Sequence, residues 1–293
     1  MTRDGASSPG TRAVIRDASV DDIPEIRRIL AAHENDAPVG EGGVDIIGPY
    51  LRHLVQRHRT LVTELDEGIV AFGAVVDTGT AAMLADLFVE RGRLGQGLGR
   101  PLLTALFGTS PVRATFASSD PRALPLYVRA GMTPLWPCLY VEGDAEHVPP
   151  GPPGVTTRDA TPGELSSLEE AWAGTPRPAD HAHWAAQPAA DAFVVEDAEG
   201  PVAFGYGRAK QLTAARALNR LRVRPAADPI PAIVAGLRRA ARGGRVQACV
   251  LGPNPVLPVL LEAGFRVVDH DQFLCSEPSL VDPARLLPNP GML

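Results

Sequence analysis

Lysine is almost missing. Lys210 is the only one in 293 residues, so arginine supplies nearly all of the 28 basic side chains. Against 34 acidic residues this leaves a net charge of −6, which excludes a broad cationic surface for nucleic acid or an anionic membrane. Cysteine is scarce as well. Cys138, Cys249 and Cys275 are far apart, odd in number and without metal-ligand spacing, so neither a disulfide scaffold nor a cysteine metal centre is expected. Reduced thiols in a cytoplasmic protein fit better. No apolar run approaches the ~20 residues that span a bilayer. Met1 to Arg12 is polar, lacks the apolar stretch of a signal peptide and reads as a loose start. Aromatic residues make up only 5%, whereas glycine and proline number 29 each, an Ala/Gly/Pro/Arg bias that reads as base composition. With 45% hydrophobic and 21% charged residues, a chain of this length can build two cores of ordinary size.

What is present is a repeat. Arg16-Asp17-Ala18-Ser19-Val20-Asp21-Asp22-Ile23 returns as Arg158-Asp159-Ala160-Thr161-Pro162-Gly163-Glu164-Leu165. Each copy passes from a short strand into a helix, with Ser19/Asp22 and Thr161/Glu164 at capping-box spacing. Val70-Ala71-Phe72-Gly73 returns as Val202-Ala203-Phe204-Gly205, Leu87-Phe88-Val89 as Leu221-Arg222-Val223, and Ala130-Gly131-Met132 as Ala263-Gly264-Phe265. Four pairs in one order describe one fold written twice. The proline-rich stretch Gly143 to Gly154 reads as the linker, with residues 1–146 and 147–293 as the two domains.

The first copy is organised around Leu84 to Gly108. Ala82 to Val89 is short and apolar, as a buried strand is. Gly92, Gly95, Gly97 and Gly99 break that pattern. Leu98, Leu102, Leu103, Leu106 and Phe107 resume it at helical spacing, with Pro101 in the first turn and Gly108 as the stop. Strand, glycine loop and helix N-terminus together make a cradle for phosphate. A P-loop needs a lysine that is not there, and a G-x-G-x-x-G register meets Arg100 or Leu102 where its last glycine belongs. A glycine-rich turn without a ligand is the competing reading. Around this unit, strands are expected at Thr11–Arg16, Leu61–Glu64, Ile69–Val76, Arg113–Ala117 and Leu135–Val141. Helices are expected at Asp22–Ala32, Pro49–Arg59 and Pro121–Arg129. In the second copy, Ala192–Glu196, Val202–Arg208, Arg245–Val250 and Phe273–Cys275 read as strands, and Ile230–Arg242 and Pro255–Ala263 as helices.

Leu94-Gly95-Gln96-Gly97-Leu98-Gly99 resembles the acetyl-CoA loop of the GNAT N-acetyltransferases, [QR]-x-x-G-x-[GA], departing from it at Leu94. Arg93 or Arg100 could supply the missing charge. Asp120, Ala123, Leu126, Tyr127, Gly131 and Met132 resemble a second GNAT motif, N-x-x-A-x-x-L-Y-x-x-x-G-F, with Asp for Asn and Met for Phe. The order of elements is similar to that fold in both copies. The resemblance implies an α/β class with a mixed α+β sheet, two tandem GNAT-like acyl-CoA N-acyltransferase domains, and acetyl-CoA as co-substrate. It implies that Leu87, Phe88 and Val89 pair with the pantetheine arm, and that Arg93 to Arg100 and Asp120 surround the cofactor. Tyr127 would protonate the departing thiolate, and a strand N–H near Phe88 or Val89 would stabilise the oxyanion. A carboxylate in a buried strand is costly, which marks Asp86 as a candidate base, alone or through water. Glu90 is the weaker candidate, and Asp120 can equally cap the helix after it. Transfer would be direct, since neither motif contains a cysteine.

In the second copy Val223-Arg224-Pro225-Ala226-Ala227-Asp228-Pro229-Ile230-Pro231 replaces the loop, and Leu260 or Leu261 replaces the tyrosine. Proline offers no N–H and Asp228 repels phosphate, so this copy is expected to be degenerate. His33, Glu34 and Asp36 could attract an amine, whether on a small molecule or a peptide. His53 and His58 read as surface residues, and the His181-x-His183 pair lacks a third metal ligand, so no metal is expected. The competing functions are a non-catalytic CoA-binding regulator and a GNAT-fold enzyme of other chemistry, such as O-acyl transfer or acyl-CoA decarboxylation. A monomer or a homodimer is equally compatible.

Overall fold

The computed structural model describes residues 13–34, 45–151, 153–210 and 215–293. The first copy runs β1 (Val14–Asp17), α1 (Ile23–Glu34), α2 (Ile47–Arg57), β2 (Arg59–Leu65), β3 (Gly68–Asp77), β4 (Ala82–Val89), α3 (Gly99–Phe107), β5 (Arg113–Ala117), α4 (Ala123–Arg129) and β6 (Thr133–Asp144). The second runs β7 (Thr156–Asp159), α5 (Pro162–Ala173), α6 (Pro178–Ala185), β8 (Asp191–Asp197), β9 (Gly200–Ala209), β10 (Arg216–Val223), α7 (Pro229–Ala241), β11 (Arg245–Leu251), α8 (Val256–Glu262), β12 (Arg266–Cys275) and the two-residue β13 (Leu286–Leu287).

The central strand β3 is apolar along most of its length, Ile69 to Val76, because both of its faces are covered. In β2 and β3, Val62 and Phe72 pack with α1 and α2, through Ile26, Ile29 and Leu51. Their neighbours Leu61 and Ala71 pack on the opposite face with Leu102, Leu103 and Leu106 of α3. Each fully buried aliphatic side chain of this kind is worth roughly 1.5–3 kcal/mol. A further cluster joins the copies: Leu54, Val76 and Met83 meet Trp184, Phe204 and Tyr206.

The repeat is also written in ion pairs. Arg16 bridges Asp22 at 2.8 Å and Glu64 at 2.7 Å, and Arg158 bridges Glu164 at 2.5 Å and Glu196 at 2.8 Å. Each arginine ties its strand to the next hairpin and to the helix start.

The described strands form a single sheet in the order β1-β2-β3-β4-β5-β12-β6-β11-β10-β9-β8-β7, with β13 added against β10. The last long strand of each copy is exchanged. β12 pairs with β5 of the first copy, and β6 pairs with β11 of the second. The two exchanged strands pair antiparallel with each other along their length.

Several boundaries move. The linker expected at Gly143–Gly154 is shorter, because β6 continues to Asp144 beside β11. The last strand starts at Arg266 rather than Phe273 because β6 supplies a partner there. Pro121 and Arg122 form a turn held by Asp120, so α4 starts at Ala123. His53 and His58 are not surface residues: their side chains are only 8% and 7% exposed, since α6 of the second copy packs over α2. No helix among the described residues is long and apolar enough to cross a membrane.

Candidate active site

The glycine stretch forms the turn its composition requires. Gly95 and Gly97 have φ of 81° and 83°, values that side chains with a Cβ rarely adopt. The first turn of α3 has no side-chain cap, leaving the N–H groups of Gly99 and Arg100 to the space in front of it. Leu98 is the N-cap, and Leu94 is partly buried at the loop's base. Gln96 turns its amide back to Gly92 at 3.4 Å. Arg93 is paired with Glu67, whereas Arg100 is exposed on the first turn of α3. Of the two arginines, Arg100 is the one without an ion pair among the described residues.

Beside the loop, β4 and β5 separate. They pair in parallel only at Ala82–Arg113, Met83–Ala114 and Leu84–Thr115. Beyond Leu84 the groove-side edge of β4 has no strand partner among the described residues. The Glu90 N–H bonds Val70 of β3, so by alternation Phe88 also faces β3, while Leu87 and Val89 face the gap. This refines the expectation for the strand donor: of Phe88 and Val89, only Val89 offers its N–H to the groove. His33 closes one end, with Nε2 donating to Val89 O at 2.7 Å and its ring 5.3 Å from that of Phe88.

Asp86 sits where the strands part. Burial pushes its carboxyl up to about 6, and the hydroxyl of Tyr50, donating to Oδ2 at 2.9 Å, only partly opposes the shift. Tyr127, on α4, is 7% exposed and packs in the core under α3. Burial, with the charges of Asp86 and Asp120, drives its phenol well above the ordinary value, so it stays protonated. Its hydroxyl has no hydrogen-bond partner among the described residues. Asp120 accepts from the Arg122 backbone at 2.8 Å and from its guanidinium at 2.6 Å, so it acts as the cap of the turn into α4. Glu90 is paired with Arg28 at 2.7 Å, which leaves Asp86 as the one of these two acids without a cationic partner among the described residues. Glu34 is the last residue of α1. Asp36 lies outside the described residues.

Asp86 lines a cavity of about 710 Å³ between the two copies. The first copy contributes His33, Tyr50, Phe88 and Ser118. The second contributes Arg208, Asn219, Asp269 and Asp271, with residues 289–292 beneath. Asp271 accepts from Tyr140 at 2.7 Å, and burial raises its carboxyl above the usual value. Arg208 donates to Asn219 Oδ1 at 3.0 Å and to its neighbour's carbonyl at 3.0 Å. It has no carboxylate partner among the described residues, and desolvation holds its pKa below the usual arginine value.

No protein-family model matches the sequence, and no curated protein does. Solved structures do match. A Pyrococcus horikoshii protein provisionally described as an acetyltransferase superposes with a TM-score of 0.71 at 14% identity, over 100% of this chain and 98% of that one. A GCN5-related N-acetyltransferase from Sphaerobacter thermophilus gives 0.57 at 15% identity, over 96% and 98%. A tandem GNAT protein from the clavulanic acid biosynthesis pathway gives 0.60 at 14% identity, over 92% and 100%. The fold is that of a tandem GNAT protein. Identities this low show the fold and leave substrate and activity to the site itself.

Within that GNAT pair the two copies differ at the places that matter. The β10–β11 separation repeats the β4–β5 one, with three parallel pairs at Arg216–Val246, Ala217–Gln247 and Leu218–Ala248. Here, however, the gap is filled. β13 pairs with β10 at Leu221–Leu287 and Arg222–Leu286, and the Val223 N–H donates to Arg285 O at 2.9 Å. Leu221 to Val223 are the repeat equivalents of Leu87 to Val89, so the chain's own strand lies where the first copy keeps a groove. Arg220 stands in the place of Asp86, fully buried and bonded to Glu169 at 2.6 and 2.8 Å. Asp228 caps α7 through the Ile230 N–H at 3.1 Å, on the face that would have to receive phosphate.

Tyr50, Arg208, Asn219 and Asp271 were not among the residues singled out in the sequence. Tyr50 belongs to an amphipathic helix where one more inward aromatic is unremarkable. The other three reach the cavity only because the sheet runs through both copies.

Proposed function

We propose that the chain is an N-acyltransferase moving the acetyl group of acetyl-CoA to an amine held in the cavity between the copies. The observation that carries this reading is the contrast between the two splayed grooves. One lies open beside a glycine loop, and the other is closed by β13. Pantetheine would add to the edge of β4 as a strand does, through Leu87 and Val89, with the pyrophosphate on the loop and on Arg100. Residues 1–146 would then hold all of the acyl donor, and residues 147–293 would shape the acceptor side.

The acceptor amine attacks the thioester carbon as the neutral base. Asp86 takes up the proton lost by the amine, and Tyr50 holds that carboxylate in place. The Val89 N–H faces the oxygen that gains charge. Tyr127, protonated and without a hydrogen-bond partner among the described residues, delivers its proton to the departing thiolate. Carboxylates at 86, 269 and 271 favour a cationic amine in the cavity. Arg208, a desolvated cation without an ion pair among the described residues, favours an acceptor that also carries an anionic group. These four charged side chains support amino-acid- or peptide-like acceptors within the cavity's 710 Å³.

The test is thiol release from acetyl-CoA across an amine panel, with product mass recorded. Acetylated amine is expected, with Tyr127→Phe lowering kcat by roughly 10²–10³ while acetyl-CoA still binds. Acetyl-CoA binding without turnover of any amine, or product masses showing ester formation or decarboxylation, would overturn the reading.

A further inference from the structure

A second cluster lies outside the acyl-transfer site, where α2 of the first copy meets α6 of the second. His53 Nε2 and His58 Nε2 each lie 2.7 Å from the same atom, Asp180 Oδ1, and 3.2 Å from each other. All three side chains are nearly buried, with exposures of 8%, 7% and 4%. More than 120 residues separate the histidines from the aspartate. We propose that these three side chains bind a divalent transition-metal ion, of which Zn²⁺ is the best match, and that the ion clasps the two copies together.

Protons alone satisfy this arrangement poorly. Both imidazoles would have to carry Nε2–H and aim both protons at one oxygen, about 2 Å apart, although the nitrogens are already in contact. If either Nε2 is bare, its lone pair faces a carboxylate oxygen. A cation removes both difficulties, because all three atoms then present lone pairs to it. The spacing allows this. Three atoms so spaced lie on a circle of radius about 1.7 Å, so an ion about 1.2 Å out of their plane meets each at about 2.1 Å, the zinc–imidazole length. Two imidazole nitrogens and one carboxylate oxygen suit zinc better than magnesium or calcium, which prefer all-oxygen sets.

The surroundings hold the donors in place. Arg177 Nε donates to the other oxygen of Asp180 at 2.8 Å, turning Oδ1 toward the imidazoles. The His53 ring stacks on that of His183, with centroids 4.3 Å apart and planes 14° apart. Arg177 is the cation facing the cluster, and it sits behind the carboxylate rather than on the imidazole side. Three protein donors leave the remaining coordination positions to water. Tyr50 is one helical turn before His53, and His183 is on the same helix as Asp180. Both line the acceptor cavity, so the ion would fix one of its walls.

The test uses the tag-free full chain. Metal content is measured after purification. The chain is then stripped with chelator and titrated with zinc chloride against a chromophoric competitor while thermal unfolding is followed. One zinc per chain is expected, with a zinc-dependent rise in Tm. His58→Gln and Asp180→Asn should each weaken binding by at least about tenfold and abolish the rise. His58 lies past the end of α2, and glutamine keeps an N–H that can reach Asp180, so this substitution is expected to disturb the fold less than Asp180→Asn. Failure of the wild-type chain to bind zinc stoichiometrically, or unchanged binding by the folded His58→Gln variant, would overturn the proposal.

Discussion

At the scale of single residues the account depends on Asp86. Its carboxyl is raised from 3.8 to about 6 by burial, so the folded chain binds this proton more tightly than the unfolded one. Folding therefore takes up a proton between those values, and the contribution to stability falls as pH rises through the window. Asp86→Asn removes that loss. The variant is expected to melt above the parent at pH 8, by up to about 3 kcal/mol, with the gap closing below pH ~4. Thermal unfolding at the two pH values checks this. Activity has the opposite slope. With an acceptor already neutral at pH 6, such as an arylamine, kcat/KM should rise with pH to a plateau with a midpoint near 6, and Asp86→Asn should lose that limb. Asp86 and the two positive-φ glycines stood out in the sequence because each breaks a local pattern, a charge in an apolar strand and glycines before a helix, whereas Tyr127 was singled out by the GNAT resemblance alone. His53 and His58 were not legible. Their burial comes from α6, over a hundred residues away, and nothing near them in sequence signals it.

At the scale of elements, β4 and β5 have the bounds the sequence implies, because charged Glu90-Arg91 follows the first and polar Ser118-Ser119-Asp120 the second, which leaves little freedom in where each strand stops. The loss of the loop in the second copy was legible in its prolines. The reason that copy has no groove was not. A two-residue strand made by Leu286 and Leu287 has no periodicity to detect, and its position depends on a gap that exists only once β10 and β11 separate. Leu287 is fully buried in the core of the second copy. Leu287→Ala is expected to destabilise the chain by about 2–5 kcal/mol in urea unfolding, while acetyl-CoA affinity stays unchanged because the first groove is intact.

For the whole molecule, the exchange of β6 and β12 makes the copies interdependent. Residues 1–146 alone would leave β5 without β12 on one edge and β6 without either of its partners. Exposed strands of that kind aggregate. Separately expressed halves are expected to be insoluble, and co-expressed halves to assemble, as judged by size-exclusion chromatography. The repeat revealed that there are two copies. It did not reveal that they share one sheet, because each exchanged strand occupies the same place in its own sequence whichever copy it joins.

The central claim is that one groove is open and the other is filled by the chain itself. Calorimetric titration with acetyl-CoA tests it most directly, beside Gly97→Glu, where a side chain meets a φ of 83° in the loop. One site per chain, lost in the variant, is the predicted result. Two sites per chain, or one that survives in Gly97→Glu, would contradict the account.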